Sequence, residues 1–348
     1  MISTTSKAAT APTATTPPTG PKPAWIGQFR DLVAAATLAP SMHNTQPWRF
    51  VVDAAGIDVY ADDSRDLRVA DPDHRARTIS CGAALFNLRV AAAHERLAVS
   101  VQDFPDGLDD VAHIARLDVS AGEPDRALGT LFDAIAIRHT NRAPFTREAI
   151  PIEIADRLVA AVAAEGATLE WLTDPYSRHR LEQFTAEATR SDTYDPSRRA
   201  ERELWIGDPA LSRRDGIPAV ALGPRAHAEP LVGRDFGRVQ HDALRPNEQP
   251  EAHPTIAILS TVSDGPEDWL TAGQALQRLL LLATTYDLSA SFLNAVLEYP
   301  DLRDLVRDPR GPRRKFQMIM RVGHGRPTAQ TPRRPVAEVL QMLGGCDD

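Results

Sequence analysis

The feature that most constrains how this chain can fold is that it partly repeats itself. Residues 78–100 (TISCGAALFNLRVAAAHERLAVS) lie over residues 269–291 (WLTAGQALQRLLLLATTYDLSAS), with identities at Gly82/Gly273, Ala84/Ala275, Leu85/Leu276, Leu88/Leu279, Ala92/Ala283, Leu97/Leu288 and Ser100/Ser291. Their spacing suits one face of a buried helix. Ala-rich helices do resemble one another by chance. Two further echoes keep the same order: Leu-Val-Ala-Ala at 32–35 and 158–161 before the long helix, and Ile114-Ala-Arg-Leu117 and Ile319-Met-Arg-Val322 after it. The chain therefore reads as two related halves, 25–125 and 126–345.

The first two echoes are offset by different amounts, so the second half carries about 65 more residues between its first helix and its long helix. That insertion falls within 173–265, where Gly207-Asp-Pro, Gly216-Ile-Pro, Gly223-Pro and the 233–237 region supply turn residues. A long Gly/Pro-rich excursion in a compact domain reads as a lid over a pocket, or as surface elaboration.

Periodicity predicts helices over 26–38, 75–96, 127–138, 151–165, 176–190, 196–206 and 267–286. Strands are expected over 48–53, 57–60, 98–103, 112–119, 168–173, 218–222, 255–261 and 315–322. Helices and strands mix without strict βαβ alternation, which reads as α+β.

With 39 basic against 47 acidic side chains the formal charge is −8, so a general nucleic-acid or anionic-membrane binder, which needs a positive face, is not expected. Cys81 and Cys346 are too few and too far apart to imply a disulfide framework. No apolar run reaches membrane-spanning length. Residues 1–24, rich in Thr, Pro and Ala, lack the apolar core of a signal peptide and read as a disordered leader. The expected location is a reducing cytoplasm.

HExxH, zinc-spaced His/Cys clusters, GxSxG and a Walker loop are all missing, and Gly323-His-Gly325 is too little for a dinucleotide fingerprint. No metal is expected. The pairs Asp62/Asp63 and Asp109/Asp110 fall in expected turns and read as solvated. Two constellations remain. After the first helix, Ala39 to Phe50 reads APSMHNTQPWRF, which carries far more polar side chains than a turn needs. The second half opens with Arg138-His-Thr-Asn-Arg142 at a helix end. Cationic helix capping would account for Arg138 and His139. It leaves Thr140 and Arg142, whose hydroxyl and guanidinium fork can hold a phosphate.

Together, APSxxNxQPW and RxTxR resemble the paired signatures of the FMN-dependent nitroreductase family, above all its fused Acg-type branch with two nitroreductase-like halves in one chain. The resemblance covers nearly everything after residue 25. It implies a nitroreductase-like fold arranged as an intramolecular pseudo-dimer, with further dimerisation open, and a flavin site built across the two halves. The polar turn occurs only in the first half and the Arg motif only in the second, so one FMN per chain is expected.

By the resemblance, Arg138, Thr140 and Arg142 hold the phosphate and ribityl chain. Arg334, with Arg333 as the alternative, joins them from the closing segment. Ser41, His43, Asn44 and Gln46 face the ring or its ribityl hydroxyls. Ser291, Leu293 and Asn294 stand where the family aligns backbone with the flavin N5 edge, although Phe-Leu-Asn replaces the usual Gly-bearing stretch. The chemistry implied is NAD(P)H-dependent, ping-pong reduction of nitroaromatic, quinone-like or other electron-poor small molecules, with no dedicated catalytic side chain. The other reading is a flavin-sequestering protein whose insertion closes over the ring.

Overall fold

The computed structural model describes residues 27–207, 213–224, 245, 247–249, 251 and 253–343. The expected leader, Cys346 and residues 225–244 of the expected insertion lie outside the described residues.

Helix α1 (Phe29–Thr37) buries Phe29, Leu32, Val33 and Ala36, one face at helical spacing. The polar turn follows, and then β1 (Trp48–Val52) and β2 (Gly56–Ala61). The Asp53 carboxylate shapes the hairpin between these strands by accepting from the amides of Ala55 and Gly56 at 2.7 and 3.0 Å. Helix α2 (Arg75–His94) comes next, followed by β3 (Val99–Asp103) and β4 (His113–Val119). Nearly every α2 side chain is buried, because its small Gly, Ala, Ser and Cys residues let neighbours approach on all sides.

The second half opens with α3 (Arg126–Gly129) and α4 (Phe132–Ile137), then repeats the plan. Helix α5 (Ile152–Ala163) leads to β5 (Thr168–Trp171). Helices α6 (Pro175–Tyr194) and α7 (Pro196–Trp205) stand before β6 (Ile256–Thr261). After these come α8 (Pro266–Thr284), β7 (Ser289–Phe292), α9 (Pro300–Leu305) and β8 (Lys315–Gly323).

The strand orders match. One sheet runs β3-β4-β2-β1 and the other β7-β8-β6-β5, with every one of these pairs antiparallel. Even the irregularities correspond, since β2 slips against β4 at Val59/Tyr60 and β6 slips against β8 at Leu259/Ser260. The first sheet gains a fifth strand from the chain end: α10 (Val336–Val339) leads into β9 (Leu340–Met342), which pairs parallel to β1.

Helices α2 and α8 pack against each other at the centre. A Cβ on Gly82 would stand 2.5 Å from the Leu270 carbonyl oxygen, and one on Gly273 would stand 2.1 Å from that of Ile79. Ile79 and Leu270 carry the same offset as the two glycines, so the contact is reciprocal, as across a two-fold axis. The Gln277 Nε2 donates to Asn87 Oδ1 at 2.7 Å, and Asn87 Nδ2 donates to the Ala35 carbonyl at 2.9 Å, which ties α8 through α2 to α1.

Several expected elements need correction. The strand expected at 218–222 is instead a 3-10 turn, Ala219–Ala221, following Pro218. The helix expected at 127–138 breaks into α3 and α4 around Thr130 and Leu131. The β7 strand is short and rich in Ser and Ala, and β9 has three residues, so neither carries a periodic signal. Asp62 is not a simple solvated turn residue: it caps Ser64 and faces Arg65 and Arg334 at 3.6 and 3.4 Å. Asp63, by contrast, is largely exposed. Residues 172–255 join β5 to β6 where the first half uses a three-residue turn, so the added length lies between these two strands.

Candidate functional site

The polar turn is held in an uncommon backbone shape. His43, Asn44 and Gln46 all have positive φ, at 49°, 56° and 54°. For non-glycine residues this stores roughly 1–3 kcal/mol each, and the surroundings must impose it. They do so through hydrogen bonds. Ser41 Oγ accepts from the Gln46 amide at 2.9 Å, and the Asn44 amide donates to the Ser41 carbonyl at 3.0 Å.

The amide side chains then reach outward to distant segments. Asn44 Nδ2 donates to the carbonyls of Gly216 and Pro332, both at 2.9 Å, while its Oδ1 accepts from Arg333 Nη1 at 3.0 Å. Gln46 Nε2 donates to the Arg214 carbonyl at 3.1 Å, and its Oε1 accepts from the Arg334 amide at 2.8 Å. Asp215 pairs with Arg65 at 2.8 Å. The turn thus locks together the first half, the 214–216 part of the excursion, and the C-terminal segment that β9 draws across it.

The Arg motif approaches from the second half. Thr140 bridges to Ala290 of β7, and the Asn141 amide donates to the Ala290 carbonyl at 2.9 Å, which sets Thr140 beside Ser291. Asn141 Nδ2 is taken by the Arg326 carbonyl at 2.8 Å, so Asn141 is a structural member of the motif. Arg142 Nη1 donates to the Ala221 carbonyl at 3.0 Å. Gly223, at φ 75°, crosses Arg142 so closely that a Cβ there would meet the Arg142 carbonyl oxygen at 2.7 Å.

Between these elements lies an open-mouthed cavity of about 1400 Å³, counted together with the solvent space at its mouth. Ser41, His43, Asn44, Thr140, Arg142, Ser291, Asn294 and Arg333 line it. Four residues expected at the site do not. Gln46 is fully buried in the knot just described. Arg138 lies beneath the surface with its Nη2 on the Leu38 carbonyl at 3.0 Å. Leu293 turns into the core around Ile256 and Ile319. Arg334 faces Asp62 and Glu338 and is the wrong member of its pair for the cavity; the structure puts Arg333 there. The reason is local: Gln46 Oε1 holds the Arg334 amide at 2.8 Å, while Asn44 Oδ1 holds the Arg333 side chain at 3.0 Å.

Asn294 reaches the cavity edge, but its Oδ1 accepts from the Ile319 amide at 2.8 Å and so braces β8. Sequence reasoning missed Arg75, Ser80, Arg245 and Glu298, which also line the cavity. They stand singly in apolar or turn segments, and no spacing marks them.

Among the described residues positive charge leads: Arg75, Arg142, Arg245 and Arg333 line the cavity against Glu248 and Glu298. Enclosure by protein pushes Arg142 and Arg333 down to about 10, and Arg138 to about 9, the last also because Arg333 is near. No carboxylate among the described residues pairs with any of the three. Arg321 shows the contrast: it is fully buried and is met by Glu251. Arg138 and Arg333 share the Leu38 carbonyl at the end of α1, where the helix dipole offsets part of their charge. Even so, the Nε groups of both are buried without a partner. Arg138 is buried, whereas Arg142 and Arg333 keep part of their surface open to the cavity; cations so enclosed without counter-ions are costly, and a bound anion relieves that cost. With Thr140 and Arg142 at the wall, the donor set suits a phosphate group.

No family model matches the chain. Over 325 residues it is 31% identical to "Putative NAD(P)H nitroreductase acg" of Mycobacterium tuberculosis, covering 90% of this chain and 95% of that protein. It is 32% identical over 321 residues to "Putative NAD(P)H nitroreductase Rv3131" of the same organism, covering 90% of each. Among solved structures, the FMN and NADPH-dependent nitroreductase NfnB from a Sphigopyxis strain aligns at 16% identity and TM-score 0.39, over 62% of this chain and 99% of that one. At this identity and coverage of the mycobacterial proteins, the chain belongs to the Acg-type nitroreductase family.

Proposed function

We propose that the protein is an FMN-dependent oxidoreductase that binds one flavin per chain in this cavity and uses NAD(P)H to reduce electron-poor small molecules. The observation that carries the reading is the group of carboxylate-free arginines beside Thr140, set against a polar turn from the other half of the chain. The relatives' name, NAD(P)H nitroreductase, points the same way.

In this reading Arg142, Thr140 and Arg333 grip the phosphate, and Arg138 supports them from below. Ser41 and His43 offer polar groups to the ring. Asn44 and Gln46 act indirectly by fixing the turn and Arg333. FMN held by these residues would supply two-electron hydride exchange between a nicotinamide and an acceptor. Apolar walls from Ile79, Leu276 and Met318 exclude water from that exchange.

The matching sheets and the reciprocal glycine contact support descent from a duplicated half-chain, with its boundary near residue 125. One copy of each half-site was then retained. The insertion within 173–265 is read as a lid, since its Ile217, Leu222 and Pro224 wall the cavity. The same wall, bonded to Asn44 and Gln46, favours a second reading in which the flavin is sequestered with little turnover.

The visible spectrum of the purified protein is expected to give one FMN per chain, and anaerobic NADPH or NADH should bleach it. Two tightly held flavins would overturn the composite site. A flavin that dithionite reduces but neither nicotinamide does would favour sequestration. Asn44→Ala should leave the fold intact while releasing Arg333, weakening FMN retention about tenfold and stability by about 1–2 kcal/mol. Unchanged flavin affinity in equilibrium dialysis would reduce Asn44 to a turn residue.

A further inference from the structure

A second cationic point in the cavity belongs to neither signature motif. Arg75 stands at the first position of α2, is 6% exposed, and lines the cavity. Its Nη1 donates to the Gln317 carbonyl at 2.8 Å and to Gln317 Oε1 at 3.1 Å. Among the described residues nothing accepts from its Nε or Nη2.

Three carboxylates lie within electrostatic reach, Asp71, Asp264 and Glu298. Each is already engaged elsewhere. Asp71 accepts from the amides of Ala76 and Arg77 at 2.8 Å, Asp264 pairs with Arg303 at 2.9 Å, and Glu298 faces Arg198 at 3.3 Å. Arg75 therefore brings an enclosed charge and two open donors into the cavity without an ion pair of its own. Arg303 nearby adds to the positive field. Arg142 belongs to another part of the wall, with its Nη1 on the Ala221 carbonyl at 3.0 Å. The cavity's lining includes the apolar Ile79, Leu276, Ala295 and Met318, with Glu298 as the acidic wall residue that acts on Arg75.

We propose that Arg75 recognises a carboxylate on the electron acceptor, so that the cavity selects aromatic acids over their neutral amides. The inference rests on the oxidoreductase reading above and names its substrate class. A guanidinium edge with two free N–H donors matches the two oxygens of a carboxylate, and the apolar walls accept the ring that bears it.

The test is calorimetric titration of the flavin-loaded protein with 4-nitrobenzoate and with 4-nitrobenzamide. The acid should bind about tenfold tighter than the amide, and Arg75→Gln should remove about tenfold for the acid while changing the amide less than about twofold. Arg75→Lys should cut the acid-to-amide ratio about threefold, because a point charge cannot bind both oxygens. In turnover, KM for the acid should rise in Arg75→Gln with kcat nearly unchanged.

A wild type without preference overturns the proposal, as does a preference that survives Arg75→Gln. If Arg75→Gln fails to fold, an unchanged ratio in Arg75→Lys counts against it. The two readings fail separately: a flavin that no nicotinamide bleaches sinks the enzyme reading while calorimetry still reads Arg75. Bleaching with no acid preference sinks Arg75 alone.

Discussion

Arg142→Gln is expected to strip the flavin, weakening FMN binding about a hundredfold or more. A hydrogen bond to a charged group contributes about 1.5–3 kcal/mol, and the guanidinium can supply two to a phosphate. Each 1.4 kcal/mol is tenfold in affinity. Flavin-free protein should respond in the opposite direction. Arg142 is enclosed by protein with no carboxylate partner among the described residues, and that enclosure pushes it down to about 10. Its charged form therefore disfavours the fold when no anion is bound. The unfolded chain binds that proton more tightly, so the wild type gains stability from this group as pH rises through about 10. The variant has no such gain. Its flavin-free melting temperature should exceed the wild type's at pH 7, and the difference should shrink above about pH 10. Equilibrium dialysis and thermal melts check both signs. Lower stability together with unchanged FMN affinity would show a purely structural arginine.

Gly273→Ala should cause the largest loss of stability of any single methyl addition considered. In a helix interior alanine is normally better than glycine by about 1 kcal/mol. Here the added Cβ would stand 2.1 Å from the Ile79 carbonyl oxygen and 2.9 Å from the Gly82 Cα. Both are backbone atoms, so no side chain can swing aside, and overpacking of this kind costs about 3 kcal/mol or more. The clash outweighs the propensity gain. Because α2 also carries Arg75, Ile79 and Ser80 to the cavity, prising α2 from α8 should weaken flavin retention as well. Gly27→Ala, where a Cβ meets nothing within 4 Å, serves as the control. Urea unfolding would decide the matter: an unchanged or raised midpoint in Gly273→Ala would mean that the seam yields and that close packing of the two glycines is not required.

The correspondence of Gly82 with Gly273 was readable from spacing alone, because a buried helix must repeat its small residues wherever another helix crosses it. Readable too were α2 and α8, with β3, β4 and β8. Short elements were not. The three residues of β9 and the four of β7 are too few for a period to emerge, and Pro218 with Ala219 to Leu222 imitates an apolar strand while forming a turn. At the site, the crowding of polar groups at Ser41 to Gln46 marked a constrained turn, but not which of its side chains would face a ligand. Asn44 and Gln46 spend their amides on the carbonyls of Gly216, Pro332 and Arg214, partners far away in sequence.

From sequence alone came the two-part architecture, the family resemblance, and the division of the two motifs between the halves. These depend on residue type and spacing, which the chain carries locally. Only the tertiary structure decided that Arg333 and not Arg334 meets the cavity, that Arg138 lies beneath it, and that Arg75 joins it. Those outcomes depend on which way a side chain points once β9 has paired with β1 and α2 has closed on α8. Orientation and access to water arise from contacts distant in sequence, and no local pattern encodes them.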